Sequence, residues 1–232
     1  YKTDLFLDAS WNVRAYSITY NLYGGKCTNP TSYTIETDSF TLNNPTKTGY
    51  TFEGWTGTNL NTPSKNVTIS KGNFGELVFY ANWSANSYTI HLDADGGECI
   101  VDSLAVVYNE AFELPFPTFI GKTFVGWFDG ENKIDSGIWD RTADLYLKAR
   151  WEVKEFSLSF ELNGGTCGQL PSSYTYFDDD IMIPNATRTG YEFLGWSGTD
   201  LTEPTKNLII QSHSLGNKKF EAEWDGLTYH IY

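Results

Sequence analysis

A block of about seventy residues recurs along this chain, and that period limits the fold more than any other feature. Four tryptophans in similar contexts, Trp11, Trp83, Trp151 and Trp224, are separated by 72, 68 and 73 residues. An alternating apolar segment begins five residues after each of them. The sequence therefore predicts a tandem array of small modules rather than one large domain. We place repeat 1 at 12–83, repeat 2 at 84–151 and repeat 3 at 152–224, with 1–11 as the C-terminal tail of a preceding repeat and 225–232 as the first strand of a following one.

Within each repeat the patterning is that of β-strands. Apolar and polar residues alternate over 16–20, 88–92 and 156–160, which is typical of half-buried strands. A glycine pair follows each of these segments and is expected to supply positive φ for a turn; the turn glycines are Gly24, Gly25, Gly96, Gly97, Gly164 and Gly165. Three further apolar segments complete each repeat, and no long stripe with the 3.6-residue period of a helix occurs. The predicted fold class is mainly β.

Six of the eight tryptophans lie at two equivalent positions of the three whole repeats and are predicted to form the module cores. A small module buries little surface and depends on large aromatic side chains. The core tryptophans are Trp55, Trp83, Trp127, Trp151, Trp196 and Trp224. Repeat 2 is a divergent subtype, because its 128–139 segment has no counterpart in repeats 1 and 3. Phe128 and Trp139 are therefore predicted to be candidate ligand contacts, since exposed aromatic residues are enriched at binding surfaces.

Charge argues against two classes of partner. The 16 Lys and Arg against 29 Asp and Glu give a net charge of −13. Binding of nucleic acid or of an anionic membrane needs clustered cations, so neither is expected. No run of roughly eighteen apolar residues suits a membrane span, and the N-terminus lacks a signal-peptide pattern. We expect no direct membrane insertion, and any export signal and anchor to lie outside this sequence.

Catalytic, metal and cofactor sites are not predicted. Cys27, Cys99 and Cys167 occur once per repeat, which does not suit a disulfide framework, and no histidine recurs beside them as a base. The acidic groups at 93–98 and 178–180 lack the ligand spacing of a dedicated calcium loop. We interpret them as turn and surface charge, and expect neither an enzyme nor a bound metal.

One motif set resembles a known family. The alternating strand, the Gly-Gly pair, the segment Pro-Thr-Lys-Thr-Gly-Tyr-Thr-Phe-Glu-Gly-Trp at 45–55 and the closing Tyr-Ala-Asn-Trp at 80–83 resemble the Listeria–Bacteroides repeat, the type found as the internalin B-repeat. Repeat 2 departs most from this pattern, with Pro-Thr-Phe-Ile-Gly-Lys at 117–122. The resemblance implies three tandem β-grasp-like modules, α+β by lineage, in an elongated array. It also implies a surface or secreted bacterial protein, and it brings no catalytic residues.

Two functions remain open from the sequence. The first is a non-catalytic extracellular stalk or spacer on the cell surface or cell wall, with a contribution to adhesion and with neighbouring repeats of the same chain as its contacts. The alternative is a specific binding module for host surface proteins, matrix proteins or glycans that uses the 128–139 loop. A hydrolase is a weak third hypothesis, because no carboxylate pair recurs in a glycosidase-like context.

Overall fold

The computed structural model describes residues 8–228, and within that range it contains β-strands and no helix. The predicted mainly-β class and the three repeated sheet units in tandem are confirmed. The terms β-grasp and elongated array stay predictions, as do the repeat boundaries. Parts of the predicted flanking segments, 1–7 and 229–232, lie outside the described residues.

Repeat 1 contains a mixed sheet and a small second pair. Its strands are β1 (Tyr16–Asn21), β2 (Ser32–Tyr33), β3 (Phe40–Thr41), β4 (Tyr50–Gly57), β5 (Leu60–Ser64), β6 (Thr68–Ile69) and β7 (Leu77–Ala85). The sheet order is β2-β1-β7-β4-β5, and β3 pairs with β6. The first and last strands of the repeat are adjacent and parallel, with Ile18 opposite Leu77. All other pairs are antiparallel.

Repeat 3 has the same plan. Its strands are β15 (Glu155–Glu161), β16 (Ser173–Thr175), β17 (Ile181–Met182), β18 (Tyr191–Gly198), β19 (Ile209–Ile210) and β20 (Lys218–Gly226). The order is β16-β15-β20-β18, again with the first and last strands parallel, and β17 pairs with β19.

Repeat 2 contains β8 (Ser87–Asp93), β9 (Ser103–Val107), β10 (Ala111–Phe112), β11 (Lys122–Asp129), β12 (Asn132–Ile134), β13 (Gly137–Ile138) and β14 (Leu145–Val153). Strands β8 and β9 form one antiparallel pair, β10 and β13 a second, and β11 lies between β12 and β14.

Aromatic side chains dominate the cores of repeats 1 and 3. Trp55 is fully buried and contacts Phe52 at 5.4 Å and Phe79 at 6.2 Å between ring centroids. Trp196 is fully buried in the corresponding place and contacts Phe193 at 5.6 Å. Edge-to-face pairs of this kind contribute about 0.5–1.5 kcal/mol each beyond the burial of their area.

The chain divides into two compact units that do not coincide with the repeats. Within the described residues, one unit holds 8–91, 103–114 and 136–145, and the other holds 92–102, 115–135 and 146–228. Repeat 2 contributes to both units. Residues that join repeat 1 to repeat 2 lie inside the first unit, and residues that join repeat 2 to repeat 3 lie inside the second.

Candidate functional site: the joints between repeats

Trp139, predicted as an exposed ligand contact, is buried. Only 2% of its surface is accessible, and its ring lies 5.7 Å from Phe112 and 6.3 Å from Tyr88. Its backbone N–H donates to the carbonyl oxygen of Glu110 at 2.9 Å, and its own carbonyl accepts from Asn109 N at 2.7 Å. The prediction that Trp139 forms an exposed contact surface is therefore wrong.

The neighbouring repeats give the physical reason. In repeat 1 Tyr33 is buried and packs on Tyr16, at 5.7 Å and 42° between rings. In repeat 3 Tyr174 packs on Phe156 in the same way, at 5.5 Å and 42°.

Repeat 2 carries Val106 at that position, so the tyrosine ring is missing there. The indole of Trp139 packs on Tyr88 instead, at a similar angle of 37° between rings, although Trp139 lies 33 residues after Val106 in the chain. Trp139 thus fills core volume that a tyrosine fills elsewhere. The sequence contains one indication of this replacement: repeat 2 has the small residue Val106 where repeats 1 and 3 both have a tyrosine.

Phe128, the second candidate contact, is half-buried at the end of β11. The guanidinium of Arg150 lies 4.2 Å from its ring centroid, and the same group donates to the carbonyl oxygen of Gly130 at 2.6 Å and pairs with Glu131 at 2.8 Å. One face of the ring is therefore covered by a cation. A ligand role for Phe128 stays a prediction.

The glycine pair and the closing tryptophan of repeat 1 form one unit. Tyr23 and Gly24 both have positive φ, 48° and 87°, and Gly25 N donates to the carbonyl oxygen of Leu22 at 3.0 Å. Both values suit a two-residue hairpin turn. The indole N–H of Trp83 donates to that same oxygen at 3.0 Å.

The two glycines have different roles. Gly24 supplies positive φ as predicted, whereas Gly25 does not; a Cβ on Gly25 would overlap the ring edge of Trp83. The other repeats have the same arrangement: Trp151 donates to Ala94 at 2.9 Å and Trp224 to Leu162 at 3.1 Å. These closing tryptophans are half-buried, whereas Trp55, Trp127 and Trp196 are buried. In the other two repeats the first glycine of each pair has positive φ, Gly96 and Gly164. The second glycine lies against the closing indole, Gly97 and Gly165.

Thiols and acidic residues form no metal-binding group within residues 8–228. The three cysteines are free and half-buried, and burial raises the pKa of the Cys27 and Cys167 thiols, which lowers their thiolate fraction. Residues 8–228 hold no group of three or more His, Cys, Asp or Glu side chains placed to bind a metal. Over the same range there is no helix of the length and apolarity that crossing a membrane requires.

One contact recurs between consecutive repeats, at the joint where one repeat meets the next. At the first joint a turn with Gly49 at φ 75° meets the ring of Tyr108, and a Cβ on Gly49 would overlap that ring. Tyr50 packs edge-on against Tyr108, with 5.5 Å between centroids. Asn86 N donates to the carbonyl oxygen of Gly49 at 2.9 Å, and the side chain of Thr51 donates to Asn86 Oδ1 at 2.6 Å. We call the glycine turn the socket and the tyrosine the knob.

The second joint repeats this design. Gly121, at φ 76°, lies directly beneath Tyr176, and a Cβ would overlap the Cβ and Cγ of that tyrosine. Lys154 N donates to the carbonyl oxygen of Gly121 at 2.9 Å. Phe119 and Phe177 add an edge-to-face contact at 6.4 Å. Gly49 and Gly121 are both buried, so each socket is closed by its knob.

A cation and an aromatic ring flank each socket. In repeat 1 the ammonium of Lys47 lies 3.8 Å from the ring of Tyr50. In repeat 2 the two groups have exchanged places, and Lys122 lies 4.0 Å from the ring of Phe119. The residues at 117–122 that depart from the repeat pattern therefore retain the contact. Each exposed cation–π contact contributes about 0.5–1 kcal/mol.

Comparison with known proteins identifies the module. The family model described as the Listeria-Bacteroides repeat domain matches residues 16–82, 88–150 and 156–212. The chain belongs to this repeat family. Its sequence resemblance is thereby confirmed, and the three matched segments fall within the three predicted repeats.

Relatives of this repeat chain are larger proteins. It is 29% identical over 231 residues, 97% of the chain, to a protein of Evansella cellulosilytica provisionally named as a Gly-rich membrane protein. A second protein of that organism, provisionally named as a membrane protein, is 26% identical over 96% of the chain. Internalin H of Listeria monocytogenes is 35% identical over 88 residues, 38% of the chain. The matched regions span 26%, 35% and 16% of the length of these three relatives.

Proposed function

We propose that this chain is a non-catalytic repeat region of a bacterial cell-surface or secreted protein, and that its Listeria–Bacteroides repeats serve as an extracellular spacer. Membership of the repeat family supports the proposal, and so do relatives named as membrane proteins and as an internalin. The observation that carries it is the socket and knob that recur at both joints.

The joints suit a spacer because they restrict motion at two points each. The backbone bonds Asn86 N to Gly49 O and Lys154 N to Gly121 O hold the connecting chain against the preceding repeat. The knobs Tyr108 and Tyr176 then contact the same turns from 22 residues further along the chain. A flexible linker would leave adjacent modules independent, whereas two contacts separated along the chain oppose rotation about the connection.

Residual dipolar couplings test this restriction at the first joint. In the wild-type chain, amide vectors of β1, β4 and β7 should fit one alignment tensor together with those of 87–91 and 103–107. Replacing the knob by Tyr108→Ala should split the two sets into tensors of different magnitude. Ile35→Ala is the matched control, because Ile35 is the repeat 1 residue at the knob position and is 47% exposed.

Two results would contradict the spacer mechanism. Independent tensors in the wild-type chain would show that consecutive repeats move freely. A common tensor that survives Tyr108→Ala would show that the knob does not restrict the joint.

A contribution to adhesion rests on a separate observation. Repeat 2 exposes Ile100 and Phe116 at 90% and 86%, and phenylalanine is among the residues enriched at protein interfaces. The test is binding of the wild-type chain and of Phe116→Ala to an array of matrix proteins, mucins and glycans. Saturable binding that Phe116→Ala abolishes supports adhesion, and equal binding by both proteins, or none by either, removes this surface from consideration.

A further inference from the structure

Repeat 3 carries a third socket. Its turn at 188–191 closes with Tyr191 N donating to the carbonyl oxygen of Arg188 at 3.2 Å, and Gly190 has φ 81°. The corresponding hydrogen bonds at the first two sockets, Tyr50 N to Lys47 O and Lys122 N to Phe119 O, are 3.1 and 3.2 Å long. Unlike the other two, this glycine has no atom within 4 Å of the place where a Cβ would lie. The turn therefore has the geometry of a socket, and among the described residues nothing covers it.

The chain that leaves repeat 3 is already held as at the other joints. Leu227 N donates to the carbonyl oxygen of Gly190 at 2.9 Å. Asn86 and Lys154 make the equivalent bonds, also at 2.9 Å, immediately before β8 and β15 begin. One of the two contacts that define a joint is thus in place in repeat 3.

An open recess marks where the second contact would form. In repeat 3 it lies beside Gly190 in the chain, has a volume of about 560 Å³ and is lined by residues of that repeat alone: Gly164, Thr166, Thr187, Arg188, Thr189 and Tyr191. The equivalent recess of repeat 2 is smaller, about 410 Å³, and Tyr176 from repeat 3 forms part of its wall. A knob therefore forms one wall of this recess where a joint is complete.

The flanking pair indicates which knob fits. Arg188 lies 3.8 Å from the ring of Tyr191, the arrangement of Lys47 and Tyr50 in repeat 1 rather than the exchanged one of repeat 2. Tyr191 remains 40% exposed, so its ring is available for the edge contact that Tyr50 makes with Tyr108.

We propose that the 188–191 turn of repeat 3 is a docking socket for the tyrosine knob of another Listeria–Bacteroides repeat joined after Thr228. The knob would be a residue in the position of Tyr108, 22 residues beyond Leu227, and its ring would cover Gly190. This inference rests on the proposed spacer function and adds the rule by which one repeat receives the next.

A fusion chain tests the proposal directly. Residues 1–228 are followed by a second copy of 88–232, which keeps the spacing because Thr228 and Ser87 are equivalent positions. The readout is the Hα shift of Gly190 in protein labelled at glycine. The ring over Gly49 should move that glycine's Hα signal upfield, so Gly49 is the internal reference. The fusion holds two such glycines, because the added copy carries its own Gly190. We expect the Gly190 signal of the first copy to move upfield and that of the added copy to stay where it is in the unfused chain. The first signal should return to its original position when Tyr108→Ala is made in the added copy alone.

The outcomes separate this proposal from the spacer mechanism. If both Gly190 signals of the fusion match the single signal of the unfused chain, the socket is overturned, provided that the added copy shows the Gly121 signal of a folded repeat. If the Gly49 signal of the unfused chain fails to move on Tyr108→Ala, the joint itself fails and the spacer mechanism with it. A Gly190 shift in the unfused chain that grows with protein concentration would assign the surface to a second copy and contradict the proposal.

Discussion

The replacement of a core tyrosine by Trp139 in repeat 2 makes a sharp prediction about stability. Trp139 is 2% exposed, and truncation of a large buried aromatic residue to alanine costs about 3–5 kcal/mol. Its indole N–H is buried and has no hydrogen-bond partner among residues 8–228, and removing such a donor regains about 1–3 kcal/mol. We therefore expect Trp139→Ala to lower the free energy of unfolding of the surrounding strands by about 2 kcal/mol, the difference between the two effects.

The decisive variant is Val106→Tyr, which restores the side chain found in repeats 1 and 3. In the wild-type background the added ring meets an occupied core and should destabilise by about 1–3 kcal/mol. In the Trp139→Ala background the same substitution fills the vacated volume and should stabilise. The recovery should be partial, because the tyrosines of the other repeats also donate to a loop carbonyl, that of Gly75 or Gly216, at 2.6 Å.

Hydrogen exchange measured by mass spectrometry on peptides covering 87–93 and 103–107 reports the local free energy, and urea unfolding reports the whole chain. Phe116→Ala is the control, since its ring is 86% exposed and its loss should change stability by no more than about 0.5 kcal/mol. If Val106→Tyr has the same sign in both backgrounds, the indole does not replace the tyrosine and the reasoning is refuted.

Three further predictions concern the turn, the strand face and the second joint. Gly25→Ala places a methyl group against the closing indole of repeat 1 and should lower the free energy of unfolding, measured in urea, by about 1–3 kcal/mol. In the control Gly137→Ala the methyl group enters open space, and the free energy of unfolding should change by less than about 1 kcal/mol. Burial, with a smaller contribution from the neighbouring Cys27 thiol, raises the pKa of Tyr20 to about 12. Above pH 10 the tyrosine of the unfolded chain therefore loses its phenolic proton first, and the free energy of unfolding falls. Tyr20→Phe should reduce this fall, measured by urea unfolding between pH 9 and pH 12. The double exchange Phe119→Lys with Lys122→Tyr should change the urea midpoint less than Phe119→Ala alone, because the pair is retained; a larger effect of the exchange would contradict the role of the pair.

The strands could be predicted from the sequence because the patterns that indicate them are local. Alternation over 16–20 predicts β1, and the Gly-Tyr-Thr-Phe-Glu-Gly-Trp segment at 49–55 predicts β4. Both depend on the two-residue period of a strand and on nearby turn residues, which a reader of one sequence sees directly. The recurring tryptophans were predictable for the same reason, since three copies show which aromatic residues every repeat retains.

The joints were harder to predict from the sequence because the residues in contact there are far apart along the chain. Gly49 and its knob are 59 residues apart, and Gly121 and its knob are 55 apart. Repeat 1 carries Ile35 where the knobs stand, so no aromatic column marks the position. The role of Gly25 was missed for a related reason: a glycine that makes room for a distant ring is indistinguishable, in sequence, from one that supplies positive φ.

Both departures of repeat 2 turn out to be exchanges. A tyrosine is lost at Val106 and an indole is gained at Trp139, and the cation and ring around Gly121 change places. In each case a group missing from its usual position is supplied from another position that reaches the same space. Since a packed core and a joint constrain volumes and contacts rather than positions, substitutions that restore the volume or the contact are tolerated. When a large residue in one copy of a tandem repeat has no counterpart in the other copies, the first question is whether that copy lacks a large residue elsewhere. The residue indicates a ligand site only when no such missing side chain is found.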